Sequence, residues 1–320
     1  MISAPQPEAV DAGADILNLG GNAIDAAIAC AFVQGVVDPL MCGIGGFGSM
    51  QLFMPKLKLH ECIDFHGKAP EKATPDMWAD RIEGEARDGF GFILKDHVND
   101  IGYHCEFWGQ KGHYGVALLS KKKPIEITKG FLKDTDEDQK RFIQGRYKFK
   151  NSDMLILNGY FPQGENRNHE TKFPKKVKFY KDLKSHIKRL QKSSSNIVVM
   201  GDFNVAPSEK DIGIGENNAK RWLRDGKCAF LPEEIEMWNS IRDLGFVDSW
   251  RLQNPKEDSI YSWFDYRSRM FDDNPKRGLR IDHIMVSENL TGSIKSTGIS
   301  YGARALEKPS DHCPIWIDLK

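Results

Sequence analysis

Between Gly109 and Lys320 the chain carries five apolar runs of strand length, set apart by basic, polar loops: GVALLS, DMLILNGYF, NIVVMGDFN, RIDHIMVS and CPIWIDL. Runs this short, punctuated by Gly, Pro, Asn and Asp, read as buried strands. The segment KVKFYKDLKSHIKRLQK instead has helical spacing, with Val177, Tyr180, Leu183 and Ile187 on one face. Its lysines are expected to form an ordinary solvated face. Strands alternating with helices predict an α/β (α+β) sandwich.

The first third has a different character. Of the 320 residues, the first 100 hold 7 Lys/Arg against 15 Asp/Glu, whereas the whole chain is balanced at 45 and 45. An acidic first piece therefore precedes a basic remainder, and only the latter suits a polyanionic partner. Helical spacing runs through Val10, Ala14, Ile16 and Leu17; Gly20-Gly21 stops it, and Asn22 is placed to cap a second helix from Ala23 to about Val37. That second helix is apolar on most faces and expects close cover. SMQLFM and KLHECIDF read as strands. The six cysteines are scattered without CxxC spacing, which argues against a zinc site or a redox dithiol and for reduced thiols in a cytoplasmic protein. AIDAAIACAFVQGVV, interrupted by Asp25 and Gln34, is too short to span a bilayer. No membrane association is expected.

Three short segments of the basic portion carry chemistry. In Asn196–Pro207 an apolar strand ends at Gly201 and presents Asp202 and Asn204 two residues apart, on one side of an extended chain. A carboxylate there can activate water or hold a metal, and an amide can donate to a phosphate oxygen. The plain alternative is a turn in which both side chains satisfy local backbone groups. In Arg280–Val286, Asp282 interrupts an apolar strand, so its charge demands a partner: Arg280, another cation, a histidine or a metal. Ser310-Asp311-His312 enters the last strand, and a histidine oriented by a carboxylate is the usual general acid–base pair. Tyr160 follows the strand MLILN, and Ser262–Arg267 interleaves Trp263, Phe264 and Tyr266 with Arg267. That mixture suits stacking on an exposed base or sugar and neutralising phosphate, unless its aromatics are simply core.

From about Tyr103 onward these stretches, together with GQKGHYGVALL, NGYFPQGE, FPKKVKFY, DIGIGE, KRWLRDGKC, FLPEE, RGLRID and KPSDHCP, resemble the exonuclease III branch of the endonuclease/exonuclease/phosphatase superfamily. The resemblance implies a four-layered α/β sandwich, Mg²⁺ or Mn²⁺ as cofactor, and double-stranded DNA with abasic sites or 3′ ends as partner. It implies that Asp202 positions or activates the attacking water, that Asn204 and Tyr160 hold the scissile phosphate, and that Asp282 orients His312. Asp311 would lie beside the metal, while Trp263 and Arg267 would bind substrate. A monomer is expected.

Residues 1–102 are similar to another family, the γ-glutamyltranspeptidases, through AGADILNLGGNAIDAAIACAFVQGVVDPLMCGIGGFGSMQLF and IDFHGKAPEKATPDMW. That family's substrate-binding arginine after IDF is His66 here, and no TTH-type nucleophile motif occurs. Transpeptidase chemistry, which would cleave the chain in two, is therefore the remote reading. Gly43, Gly45 and Gly48 match GxGxxG, but without the strand before and helix after that dinucleotide binding needs. The nuclease-like portion departs from its own family as well. The FNIxGxR-type strand with its Asn and the LQETK-type strand with its metal-binding Glu do not occur. The expectation is a chimera of segments 1–102 and 103–320, its sandwich lacking the first strands. It would be a DNA-repair phosphodiesterase of impaired activity, or else a non-catalytic DNA-binding remnant.

Overall fold

The computed structural model describes residues 2–38, 49–64, 98–110, 114–135 and 137–320. The glycine cluster Gly43–Gly48 and His66 lie outside the described residues. Two compact units are present, Met1–Trp78 and Ala79–Lys320.

In the first unit, α1 (Pro7–Asn18) packs along α2 (Ala23–Val37). Asn22 caps α2 as its sequence position predicts. Its side chain accepts from the Ile24 and Asp25 amides, and Asp25 accepts in return from the Asn22 amide. Strands β1 (Ser49–Met54) and β2 (Leu59–Asp64) form an antiparallel pair. The close cover expected of α2 is one-sided: Ala26 is buried, whereas Phe32 and Val36 are exposed. Its apolar residues surround the helix, and among the described residues the neighbouring helix α1 shields only one stripe of it.

The second unit contains β3 (His104–Gly109), β4 (Gly115–Ser120), β5 (Glu126–Lys129), β6 (Phe142–Phe149), β7 (Ser152–Tyr160), β8 (Ile197–Asp202), β9 (Phe246–Asp248), β10 (Asp282–Ser287), β11 (Ile294–Ile299) and β12 (Ile315–Leu319). The helices are α3 (Lys172–Leu190), α4 (Glu216–Arg224), α5 (Pro232–Arg242), α6 (Ser249–Gln253) and α7 (Tyr301–Arg304). Six strands form one sheet in the order β5-β6-β7-β8-β10-β9, with β7 and β8 parallel and the other pairs antiparallel.

Alternation along β8 divides the core into two faces. Ile197 and Val199 join Leu155, Leu157, Phe142 and Met285 beneath Phe179, Tyr180, Leu183 and Ile187 of α3 and Trp238 and Ile241 of α5. Val198 and Met200 face the other way with Ile156, Ile284 and Val286, and are covered by Ile294, Ile315 and Ile317 of the β11–β12 ladder. The β3–β4 ladder lies over the same sheet and is tied down where the Asn158 amide donates to the Ala117 carbonyl at 3.0 Å. The layers are therefore those of the expected α/β sandwich. Among the described residues its second strand layer consists of two separate two-stranded ladders.

Helix α3 departs from expectation at one residue. Lys176 is fully buried rather than solvated, because its ammonium is ion-paired to the equally buried Glu234. No described helix is long and apolar enough to cross a membrane.

Candidate active site

The sheet register assembles the site. Tyr160, Asp202 and Asp282 pair across β7, β8 and β10, so three residues distant in sequence occupy one row at the strand ends. Neighbours in such a row are spaced by roughly 4.8 Å and point to the same face. Gly201 permits this close approach. Its φ is +131°, and a Cβ added there would sit 2.0 Å from the Gly159 carbonyl oxygen. No residue with a side chain fits that position.

His312 completes the row from the loop before β12. Its Nδ1 lies 2.9 Å from Asp282 Oδ2 and 3.1 Å from Oδ1. Asp282 is fixed in turn by the buried Ser262, whose hydroxyl donates to Oδ2 at 2.6 Å and accepts from the Ile281 and Asp282 amides. The partner of Asp282 is thus His312, and the alternative partner, Arg280, is engaged elsewhere, with Asp211 and Asp248. Ligand atoms of Asp202, Asp282 and His312 all lie within 4.8 Å of one another.

This crowding shifts both ends of the cluster. Burial, and next the charge of Asp282, push the Asp202 carboxyl up to about 7, against the opposing pull of His312, the Asn204 amide and Lys176. Burial works against a charged His312, but the hydrogen bond and charge of Asp282, reinforced by Asp202 and Asp311, hold the imidazole up at about 9. Near neutral pH the cluster therefore combines an imidazolium with a carboxylate able to take a proton.

Asp202 and Asn204 are not related as residues of an extended strand. The strand ends at Asp202, and Asn204 turns into the left-handed region with φ +52°. Its backbone amide donates to Asp202 Oδ1 at 2.8 Å, and its side-chain amide donates to Asp202 Oδ2 at 2.8 Å and to the Phe161 carbonyl at 3.0 Å. The turn reading of this tetrapeptide therefore describes the geometry, and both side-chain amide hydrogens nominated for a phosphate are engaged within the chain, one by Asp202 and one by the Phe161 carbonyl.

Tyr160 is half-buried beside Asp202, and burial followed by the Asp202 charge raises its phenol. The Arg141 guanidinium lies over both its ring, at 4.5 Å, and that of Tyr114, at 3.7 Å, and donates to the Tyr160 carbonyl. Trp263 bridges to Leu279 and His312 through its backbone, and its indole Nε1 donates to Asp311 Oδ2 at 2.9 Å. Arg267 is exposed on the turn after Asp265, to which its backbone amide donates. Its guanidinium makes none of the hydrogen bonds that tie the described cluster together.

Sequence reasoning missed Ser262, Arg141 and Lys176. Ser262 stood inside the aromatic segment singled out for stacking, but nothing local marks a hydroxyl as the support for a carboxylate 20 positions later. A signal did exist for Lys176: it falls four positions before Tyr180 and seven before Leu183, on the buried face of the helix.

The sequence profile of the Endonuclease/Exonuclease/phosphatase family matches residues 74–312. Exodeoxyribonuclease III of Haemophilus influenzae is 48% identical over 250 residues, covering 78% of this chain and 92% of that protein. Among solved structures, a 3′ phosphatase, NExo, from Neisseria bound to product DNA hairpin is similar with a TM-score of 0.66 at 30% identity, covering 74% of this chain and 85% of the other. An AP endonuclease from Archaeoglobus fulgidus gives a TM-score of 0.60 at 30% identity, covering 70% and 82%. The Gamma-glutamyltranspeptidase profile matches residues 9–92. A glutathione hydrolase proenzyme of Bacillus subtilis is 48% identical over 80 residues, which span 25% of this chain but 14% of that protein. Both resemblances drawn from the motifs are thus present, and they overlap over residues 74–92. The second is a fragment of a much longer relative. The first extends through the whole row of converging side chains: the chain belongs to the endonuclease/exonuclease/phosphatase family.

Proposed function

We propose that this chain is a DNA-repair phosphodiesterase that cuts at abasic sites and at 3′ ends with Mg²⁺ or Mn²⁺. Its nuclease segment would be 103–320, joined to a transpeptidase-like segment, 1–102. The observation carrying this reading is the convergence of Asp202, Asp282 and His312, their ligand atoms within 4.8 Å, at the end of the central sheet. Such a cluster suits in-line attack on a phosphodiester, which needs a positioned water, a proton acceptor and a positive charge at the developing oxyanion.

Each residue then has a role at a stated atom. Asp202, with its carboxyl raised, holds the attacking water and takes its proton. Asn204 fixes both oxygens of that carboxylate. Asp282 keeps His312 Nδ1 engaged, so that Nε2 is the nitrogen left to meet the phosphate. Tyr160, backed by Arg141, adds a phenol on the Asp202 side. The Trp263 ring and Arg267 border the entry for an extruded abasic sugar and its flanking phosphate.

The residues present fit a hard divalent cation at Asp311. A carboxylate oxygen suits Mg²⁺, which is commonly held by one or two carboxylates and completes its shell with water and substrate phosphate. The Trp263 indole fixes Oδ2 of Asp311 and orients the group. The Asp202–Asp282–His312 cluster fits less well, because an imidazolium supplies its compensating charge and is no ligand. When bound, the cation would neutralise charge on the phosphate oxygens.

The absence of the family's Asn- and Glu-bearing motifs from the sequence supports slow turnover. A duplex with a single abasic site and a duplex with a recessed 3′ end, each incubated with Mg²⁺ and with EDTA beside the Haemophilus relative, test the whole reading. Metal-dependent incision slower than the relative is expected. Equal rates would overturn the claim of impairment. Salt-sensitive binding of the duplex without incision would replace the enzyme by a DNA-binding remnant.

A further inference from the structure

Lys176 sits on α3, on the side of the sheet opposite the cluster, yet two of its three ammonium protons go to the backs of the site loops. Nζ donates to the Asn204 carbonyl at 2.9 Å, to the Gln163 carbonyl at 3.2 Å and to Glu234. Gln163 belongs to the loop that follows Tyr160, and Asn204 to the loop that follows Asp202. Glu234, also fully buried, uses its second oxygen to accept from the Ala229 and Leu231 amides. One turn further along α3, Tyr180 donates to the Phe203 carbonyl at 2.9 Å, and from β10 His283 meets the Val205 carbonyl at 2.8 Å. Three consecutive carbonyls behind Asp202 are thereby pinned.

Stability alone does not call for a lysine here. A buried ion pair can often be exchanged for apolar side chains of similar volume without loss, because desolvation offsets its attraction. An apolar residue cannot donate simultaneously to two loops that carry different site residues, one of which, Asn204, adopts a left-handed backbone. We propose that Lys176 is a positioning residue: its ammonium fixes the Tyr160 and Asp202–Asn204 loops relative to each other. This rests on the phosphodiesterase reading above.

Lys176→Met strands the Glu234 charge, so the double variant Lys176→Met/Glu234→Gln carries the test; Glu234→Gln retains a carbonyl oxygen for the Ala229 and Leu231 amides. The double variant is expected to unfold cooperatively near the wild-type midpoint while kcat on an abasic-site duplex in Mg²⁺ falls by about tenfold to a hundredfold. KM is expected to stay within about twofold, the split that distinguishes lost geometry at the reacting atoms from lost binding. Residue-resolved amide exchange is expected to quicken at Asn204 and remain unchanged in β6. Lys176→Arg, which keeps a cation able to reach both carbonyls, is expected to restore most of kcat. Wild-type kcat together with wild-type exchange at Asn204 in the double variant would overturn the proposal. If the wild-type chain itself incises nothing, the nuclease reading fails, and the exchange at Asn204 decides the positioning claim by itself.

Discussion

His312 Nδ1 lies 2.9 Å from Asp282 Oδ2, across a separation of 30 residues. That contact fixes which face of the imidazole is free and holds the ring charged. Asp282→Asn removes the charge and most of the orienting force. Its expected effect is a fall in kcat of about 10²-fold, with the basic limb of the pH–rate profile moving down from about 9 toward the ordinary histidine range. A profile whose basic limb stays put would show that His312 takes no part in it.

The wild-type profile follows from the same cluster. In the proposed mechanism Asp202 serves as the base only when deprotonated, and its carboxyl is raised to about 7, so kcat/KM should rise as pH passes upward through that region. His312 contributes its positive charge only while protonated, so activity should fall again above about 9. The two limbs belong to the coupled cluster rather than to either residue singly. Rates measured from pH 5 to 10 at constant ionic strength and saturating Mg²⁺ check this. A rate that is flat from pH 5 to 8 would contradict it.

Much of this site could be read from the sequence, for physical reasons that also explain what could not. A charge inside an apolar strand must find a partner, which is why Asp282 stood out, and Ser-Asp-His before a terminal strand offered one. Apolar runs reveal strands but not their neighbours, so the row Tyr160–Asp202–Asp282, which depends on the order β7-β8-β10, was not legible. Local geometry also overruled spacing: Asn204 is two residues from Asp202, but the left-handed turn folds its amide back onto that carboxylate. Lys176 read as solvated because lysines on amphipathic helices usually are. Its counter-ion, Glu234, lies 58 residues away on α5, and no local pattern announces it.

Arg280 holds the region behind the site together and should govern its acid stability. It is 1% exposed, and its guanidinium donates to Asp211 and Asp248, each at 2.7 Å. Burial by itself would raise the Asp248 carboxyl; the Arg280 charge, with help from His283, drives it well below the usual carboxylate range instead. A depressed carboxylate stabilises the fold at every pH above its unfolded value, roughly 3.9, and that stabilisation fades as pH falls toward the folded value. Arg280→Met leaves the buried Asp248 without its arginine, while Asp211 keeps Arg251, an expected loss of about 3–5 kcal/mol at pH 7. In the variant burial works on Asp248 without the opposing Arg280 charge, so protonation of that carboxyl relieves part of the loss. The stability gap to wild type should be smaller at pH 4 than at pH 7 in urea titrations, and a gap independent of pH would refute this account.

A substitution at Trp263 tests the proposed metal ligation by Asp311 apart from the proposed ring contact with substrate. Its indole N–H donates to Asp311 Oδ2 at 2.9 Å, and its backbone is anchored to Leu279 and His312 independently of the side chain. Trp263→Phe keeps an aromatic ring but removes the donor that orients Asp311. Loss of such an outer hydrogen bond to a ligating carboxylate typically weakens metal affinity by about 10–100-fold. The Mg²⁺ concentration for half-maximal incision should therefore rise by about tenfold, while kcat at saturating Mg²⁺ is largely retained. If half-saturation by Mg²⁺ is unchanged while KM for the duplex rises, Trp263 serves the substrate alone, and Asp311 loses its place as the metal ligand.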